Sequence, residues 1–207
     1  MFTLYYAPGT CSLASHIALA DAGAAYALKR IDFGALEQKS PIYLAINPKA
    51  RVPTMMTPRG ALTETPAMLA FIAQSFPEAR LAPLDDPFAF AQMQSFNSYL
   101  CATLHVAHAH RMRGSRWADD PASFADMQRK APQSVGACYE LIERHLLQGP
   151  WVMGKLYTVA DPYLFTLAQW LEDDGVDPSR IPRVIEHRSR VAKRLSVKKA
   201  IAEELAP

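Results

Sequence analysis

The stretch that decides the fold reads Phe2-Thr3-Leu4-Tyr5-Tyr6-Ala7-Pro8-Gly9-Thr10-Cys11-Ser12-Leu13. Its first five residues are aromatic, aliphatic or β-branched, which is typical of a buried strand. Pro8-Gly9 ends this run, and a helical run from about Ser12 to Ala22 then ends at Gly23. The sequence therefore predicts a strand, a tight turn and a helix, with Cys11 at the start of that helix.

The next segment continues this alternation of strands and helices. It predicts, in order, a strand at Tyr26 to Asp32, a short helix at Pro41 to Ile46, paired strands at Val52 to Thr57 and Ala61 to Thr63, and a helix from Pro66 with Thr65 as its N-cap. The order βαβ then ββα, up to about Phe76, is that of an α/β thioredoxin-like layer with a mixed four-stranded sheet. We therefore predict a thioredoxin-like domain over residues 1–76.

The composition changes after a proline-containing linker at residues 77–86. Beyond it, apolar residues recur at spacings of three and four, as expected for an all-α domain over residues 87–207. The predicted helical runs are Phe88 to Met112, Phe124 to Leu147, Val159 to Leu171 and Ile181 to Leu195. We expect Pro132 to kink the second run, because proline lacks an amide donor.

The charge balance excludes a strong overall field. The 207 residues hold 22 Lys+Arg and 20 Asp+Glu, for a net charge of +2, so nucleic acid is not the expected partner. Residues 180–199 carry eight Lys and Arg against Glu186 alone. This stretch has no interleaved aromatic residues, and we expect a solvated face there.

The distribution of apolar residues predicts a soluble protein. Charged residues and histidines interrupt every long apolar stretch well before 18 residues, so no transmembrane helix is expected. Met1 to Tyr6 lacks the basic region and cleavage site of a signal peptide. We expect a cytoplasmic protein without membrane partners.

The three cysteines, Cys11, Cys101 and Cys138, are too widely spaced for a disulfide framework or a zinc site of CxxC pairs. At a helix start, Cys11 is expected to face free amides and the positive end of the helix dipole, which would lower its thiol pKa. Burial as a packing residue is the alternative. Ser12 and Ala14 follow, so a CxxC dithiol is excluded, and Cys101 and Cys138 are predicted to be core residues.

Two other segments have features of a ligand site. Val52-Pro53 stands at the head of a strand, where a cis peptide would leave a backbone edge free for a peptide-like ligand. Glu64-Thr65-Pro66 opens a helix whose amides can receive a carboxylate, while Glu64 could hold an amine. Ordinary capping explains Thr65 and Pro66 but leaves Glu64 unexplained. Together the features describe a peptide-sized thiol with a free amine and a carboxylate.

Several segments then resemble the bacterial beta class of glutathione S-transferases over essentially the whole chain. They are Tyr5-Tyr6-Ala7-Pro8-Gly9-Thr10-Cys11-Ser12-Leu13, His16-Ile17-Ala18-Leu19, Ile46-Asn47-Pro48-Lys49, Val52-Pro53, Thr63-Glu64-Thr65 and Tyr157-Thr158-Val159-Ala160-Asp161-Pro162-Tyr163-Leu164-Phe165. The resemblance implies the glutathione transferase architecture of a thioredoxin-like domain followed by a helical one.

It also implies the roles of individual residues. Catalytic roles fall to Cys11 and His105. Glutathione, a co-substrate, would be bound by Cys11, Lys39, Arg51, Val52, Pro53, Glu64, Thr65 and Ser98. The acceptor pocket would include Ala7, Thr10, His108, Met112 and Trp117. Ser98 and Val106 depart from the asparagine and lysine common in the family, so contacts to the glutathione carboxylates are expected to be weaker or differently supplied.

His105, His108 and His110 are not expected to bind a metal. His105 and His108 share a helix face, but His110 points elsewhere and no nearby carboxylate completes a ligand set. Thr158-Val159-Ala160-Asp161 fits a capping box and is interpreted as a folding element.

The leading hypothesis is a detoxifying glutathione S-transferase that conjugates glutathione to small hydrophobic electrophiles and carries out glutathione-dependent thiol-disulfide exchange. The resemblance further implies a homodimer. A specialised dehalogenase, ether-cleaving enzyme or isomerase of the same superfamily is one alternative. A non-catalytic binding or stress-response module is the other.

Overall fold

The computed structural model describes residues 1–206, and its N-terminal part is built on a four-stranded sheet. The elements are β1 (Phe2–Tyr6), α1 (Ser12–Asp21), β2 (Tyr26–Arg30), α2 (Pro41–Ile46), β3 (Thr54–Thr57), β4 (Gly60–Thr63) and α3 (Thr65–Ser75). The strand order is β2-β1-β3-β4. β1 runs parallel to β2 and antiparallel to β3, and β3 and β4 are antiparallel. This mixed sheet confirms the predicted thioredoxin-like layer.

The rest of the described chain is helical, as predicted. Its helices are α4 (Pro87–Tyr99), α5 (His105–Met112), α6 (Pro121–Leu141), α7 (Ala160–Ala168), α8 (Pro182–Ala192) and α9 (Leu195–Leu205). A π-helical turn at Leu100–Leu104 joins α4 to α5, and a second at Ile142–Leu146 extends α6. Pro132 lies inside α6 without ending it. The boundaries 1–76, 77–86 and 87–207 remain our proposed division of the chain.

Several element boundaries differ from the sequence prediction, among them those of β2, β3 and α3. β2 ends at Arg30 rather than Asp32, because the Asp32 side chain instead accepts hydrogen bonds from the Gly34 and Ala35 amides in the following turn. Thr65 is the first residue of α3 and not its N-cap. Glu64 takes the cap position with a φ of 70°, and its carbonyl accepts the Met68 amide at 3.0 Å.

One apolar core connects the sheet to the helical part. Leu4 and Met55 from the sheet and Ile72 from α3 belong to the same buried cluster as Leu104 and Tyr163 from the helical part. A core of this kind is close-packed and resists relative movement of its elements. The space between the sheet and α5 is therefore bounded by fixed walls.

Asp161 has the structural role that its capping motif predicted. It is fully buried and accepts hydrogen bonds from the amides of Val152 at 2.8 Å and Thr158 at 2.7 Å. His187 Nε2 on α8 lies 2.9 Å from Asp161 Oδ1, the oxygen that also accepts the Val152 amide. A single carboxylate thus ties the loop before α7 to α8.

The basic side chains at 180–199 lie at the surface, as expected, since five of the eight are exposed and none is buried, but several of them also pair with neighbouring elements. Arg188 pairs with Glu172 at 2.6 Å and Arg194 with Asp21 at 2.8 Å. Arg183 donates to backbone carbonyls of the π-helical turn after α6. These contacts attach α8 and the start of α9 to neighbouring helices.

None of the helices formed by residues 1–206 combines the length and the apolar character needed to span a bilayer.

Candidate active site

A cleft of about 840 Å³ lies between the sheet end and α5. From the N-terminal part it is lined by residues that include Thr10, Cys11, Lys39, Arg51, Val52, Pro53, Glu64 and Thr65. From the helical part it is lined by residues that include Cys101, His105, His108, Arg111, Arg113, Arg116, Trp117, Tyr163 and Trp170. Segments far apart in the sequence therefore meet at one cavity.

The structure does not bring three of the predicted site residues to this cleft. Ala7 is buried beneath the first turn, where its carbonyl accepts the Thr10 hydroxyl at 2.8 Å. Ser98 on α4 and Met112 at the end of α5 are exposed and do not line the cavity. The other predicted binding and acceptor residues all lie on its walls.

Cys11 is the N-cap residue of α1, but its side chain makes no capping hydrogen bond. Its Sγ atom donates instead to the Val52 carbonyl oxygen at 3.7 Å. Burial raises the pKa of the Cys11 thiol to about 11, and the nearby Thr65 hydroxyl and Arg113 guanidinium only partly oppose this. The predicted low thiol pKa is therefore wrong, because desolvation of the thiol is the largest influence on its pKa.

The segment opposite the thiol is held in a defined shape. The Val52-Pro53 peptide bond is cis. The Arg51 carbonyl accepts hydrogen bonds from the Tyr43 hydroxyl at 2.7 Å and from Asn47 Nδ2 at 2.8 Å. Two buried side chains thus fix the backbone on which Val52 faces Cys11.

Glu64 and Thr65 form the adjoining wall at the start of α3. The exposed Glu64 carboxylate pairs with Lys49 Nζ at 2.6 Å, and the same ammonium donates to the Thr63 hydroxyl at 2.8 Å. Thr65 is buried, with its hydroxyl directed close enough to Cys11 to act on the thiol pKa. A carboxylate, a hydroxyl and a helix start are therefore adjacent to the sulfur.

His105 lies on the α5 side of the cleft as a neutral ring. Burial, together with the charges of His108 and the nearby arginines, lowers its pKa to about 4. Its ring centroid is 5.2 Å from that of Trp170. No hydrogen bond joins it to Cys11 within residues 1–206.

His108 and Trp170 brace this wall. The His108 ring stacks on Trp170 with centroids 4.2 Å apart, and its Nδ1 lies 2.8 Å from both carboxylate oxygens of buried Asp174. Trp170 Nε1 donates to the Gly9 carbonyl at 3.0 Å, which links the helical part to the turn before Cys11. Sequence reasoning missed Trp170 and Asp174, whose only signal is their position at the end of an apolar helical run.

Cys101 was predicted to be a core residue, and this is only partly correct, since it packs against the apolar core without being fully buried. It is partly exposed and lines the cleft, whereas Cys138 is buried as predicted. Cys101 lies in the π-helical turn that joins α4 to α5. A π turn adds a residue to the helical repeat, so α-helical periodicity misplaces the face of the side chains it contains.

In the part of the chain that the structure describes, no group of three or more His, Cys, Asp or Glu residues is arranged to hold a metal ion. His110 packs instead against Trp117, with ring centroids 4.3 Å apart.

Comparisons with known proteins agree with this geometry. Residues 1–74 match the glutathione S-transferase N-terminal domain. The chain is 28% identical to glutathione S-transferase GstA of Escherichia coli O157:H7, over 97% of this chain and 98% of that protein. A solved glutathione transferase homologue from Sulfitobacter with bound glutathione is 44% identical, with a TM-score of 0.95 over 100% of this chain and 99% of the other. The beta-class glutathione S-transferase of Sphingomonas chungbukensis is 31% identical, with a TM-score of 0.85 over 98% of both chains.

Proposed function

The chain belongs to the glutathione S-transferase family, and on that premise we propose that its cleft binds glutathione beside Cys11 and transfers it to electrophiles. The observation that carries the proposal is the convergence of Cys11, Val52-Pro53 and Glu64-Thr65 on one cavity. These segments come from three separate parts of the chain. Each one offers a group that a different part of glutathione requires.

The proposed binding mode follows from these groups. The Val52 backbone pairs with the cysteinyl part, as a strand edge pairs with an extended peptide. The Glu64 carboxylate holds the γ-glutamyl ammonium, and the start of α3 at Thr65 receives the neighbouring carboxylate. Lys39 and Arg51, which line the same cleft, hold the glycyl carboxylate. Ser98 has no place in this scheme, because it lies outside the cleft.

The raised pKa of Cys11 determines its chemical role. At neutral pH the thiol is protonated, so it donates an S–H hydrogen bond to the glutathione thiolate and lowers the energy of that anion. In conjugation the glutathione sulfur then bonds to the electrophilic carbon, and the leaving group departs with the bonding electrons. Conjugation therefore proceeds without deprotonating Cys11.

Thiol-disulfide exchange, by contrast, requires the Cys11 thiolate. That thiolate attacks one sulfur of oxidised glutathione. A Cys11–glutathione disulfide forms, the original S–S bond breaks, and one glutathione leaves as a thiolate that takes up a proton. We propose that this exchange accelerates as the pH rises toward the thiol pKa.

His105 is proposed to act as a neutral imidazole. With a pKa near 4 it is a poor proton acceptor at neutral pH. Its ring N–H is instead available to a thiolate or a departing anion in the cleft. It would thus tune the sulfur and the acceptor site without changing charge.

Two measurements test the proposal together. Calorimetric titration should show glutathione binding to the wild type. Intact-protein mass spectrometry after incubation with oxidised glutathione should show one adduct in the wild type and none in Cys11→Ala. A protein that binds no glutathione and forms no adduct would favour a non-catalytic module, since the thiol site would then be inactive.

We further propose a homodimer located in the cytoplasm with a role in detoxification. These proposals follow from membership of the family and from the resemblance to its beta class. A specialised dehalogenase, ether-cleaving enzyme or isomerase would use the same glutathione site, and a panel of acceptors at saturating glutathione would separate these activities.

A further inference from the structure

The cleft holds more positive charge than the chain as a whole. Five basic residues line it, against two acidic ones, Glu64 and Asp173. The basic residues are Lys39, Arg51, Arg111, Arg113 and Arg116. This excess of three charges exceeds the net charge of +2 for all 207 residues. Such a concentration in a cavity raises the local concentration of anions.

Four of these five cations have no counter-ion within residues 1–206. Arg111 lies 3.1 Å from Asp174 and 3.8 Å from Asp173. By contrast, no carboxylate oxygen in residues 1–206 lies within 4.0 Å of the cationic groups of Lys39, Arg51, Arg113 and Arg116. Desolvation is the largest cause of the lowered pKa of Arg116, and the positive charges of Arg113 and Arg51 contribute to the same lowering. The three guanidiniums therefore repel one another in the cavity.

Glutathione alone does not neutralise this charge. It carries two carboxylates and one ammonium, for a net charge of about −1 at neutral pH. In the binding mode proposed above, its glycyl carboxylate takes Lys39 and Arg51, and its ammonium takes Glu64. Arg113 and Arg116 remain without a partner when glutathione is bound.

Two tryptophans line the cleft together with these two arginines. Arg113 follows α5 directly, and Arg116 closes the short turn at Gly114–Arg116, immediately before Trp117. Trp117 and Trp170 both line the same cleft. Flat apolar rings beside guanidiniums can stack on an aromatic ligand while the cations bind its anionic group.

We propose that Arg113 and Arg116 form an anion subsite within the acceptor pocket, which selects aromatic electrophiles carrying a carboxylate or sulfonate. This inference rests on the proposed function and names its acceptor class. It replaces the expectation of purely hydrophobic acceptors with one of amphipathic, negatively charged acceptors.

A suitable reaction is the substitution of an activated aryl chloride. The glutathione sulfur bonds to the ring carbon that bears chlorine, the C–Cl bond breaks, chloride leaves, and the thiol proton passes to solvent. 4-Chloro-3,5-dinitrobenzoate carries the anionic group, and its methyl ester is a neutral acceptor of nearly the same shape. The ratio of the two kcat/KM values, each divided by its uncatalysed rate constant, measures the contribution of the charge.

The variant that tests the subsite is Arg113→Gln with Arg116→Gln. We expect kcat/KM for the carboxylate to fall about tenfold or more, with less than about twofold change for the ester. The glutathione Kd by calorimetry should stay within about twofold. Raising NaCl from 20 to 500 mM should also reduce the preference of the wild type for the carboxylate over the ester, because salt screens exposed charges.

The matched control is Arg59→Gln with Arg129→Gln, which removes two exposed charges away from the cleft. It should leave the acceptor preference unchanged. An equal loss for ester and carboxylate, an unchanged preference, or a rise in the glutathione Kd of the cleft variant would each overturn the inference. Titration with unreactive 3,5-dinitrobenzoate distinguishes failure of the anion subsite from failure of the proposed glutathione chemistry. The subsite predicts that this compound binds even if glutathione chemistry is absent.

Discussion

The Cys11 sulfur donates its hydrogen bond to the carbonyl oxygen of Val52, 3.7 Å away. It does not cap the amides of its own helix. The thiol therefore gains little from the helix dipole, while the surrounding protein removes water from it. This contact joins the two segments that are proposed to hold the glutathione sulfur and the cysteinyl backbone.

Alkylation of Cys11 should depend steeply on pH. With a thiol pKa of about 11, the thiolate fraction and the iodoacetamide rate should rise about tenfold per unit from pH 7 to 10. Peptide mapping by mass spectrometry measures each cysteine separately. Buried Cys138 serves as the unreactive control. A Cys11 rate that levels off near pH 7 would show that the thiol pKa is low.

Glu64→Gln should weaken glutathione binding. Loss of a charge-assisted contact to the ammonium corresponds to about 1.5–3 kcal/mol, or roughly a 10- to 150-fold higher Kd by calorimetry. The free energy of unfolding should change by less than about 1 kcal/mol, since the Glu64–Lys49 pair is exposed. Lys49→Gln is the control, and an equal rise in its Kd would assign the effect to that pair.

His105→Gln should lower the turnover of disulfide exchange about tenfold and leave the glutathione Kd nearly unchanged. Added zinc or a chelator should alter neither quantity. Steady-state kinetics at saturating glutathione provide the measurement. Loss of activity on chelation would instead support a metal, and an unchanged turnover would make His105 a packing residue.

The depressed pKa of His105 also predicts a pH dependence of stability. Between about pH 6.5 and 4 the unfolded chain binds a proton that the folded protein does not, so stability falls as the pH falls through this window. Urea unfolding measures the free energy of unfolding at pH 7.5 and at pH 5. The decrease between these two pH values should be smaller in His105→Gln than in the wild type, by a difference on the order of 1 kcal/mol. Equal losses in both proteins would assign the dependence to other groups.

Asp161→Asn should destabilise the fold by about 2–4 kcal/mol, because an amide cannot satisfy both backbone donors and the His187 ring. The glutathione Kd of the folded fraction should not change. Asp177→Asn, at an exposed cap, should cost less than about 1 kcal/mol. Similar unfolding curves for the two variants would contradict the structural role of Asp161.

The proposed homodimer predicts a mass near twice 22.9 kDa by light scattering at micromolar concentration. A mass of one chain under these conditions would reject it.

The sequence by itself determined the order of elements and the place of several special residues. Strand alternation, helical spacing and turn residues act over a few positions, so they predicted β1, the turn before Cys11, the helical second part and the cap at Asp161. The motif around Val52-Pro53 was likewise visible, because proline imposes its geometry locally.

Only the tertiary structure decided the chemical state of the site. Burial of Cys11 depends on segments more than 40 residues away, and it reversed the expected direction of the thiol pKa. Cys101, in the π-helical turn, lines the cleft as well as packing against the core, and packing brought Arg51 to the same cavity as Arg113 and Arg116. Desolvation and Coulomb interactions act through space rather than along the chain, so no local pattern encodes them.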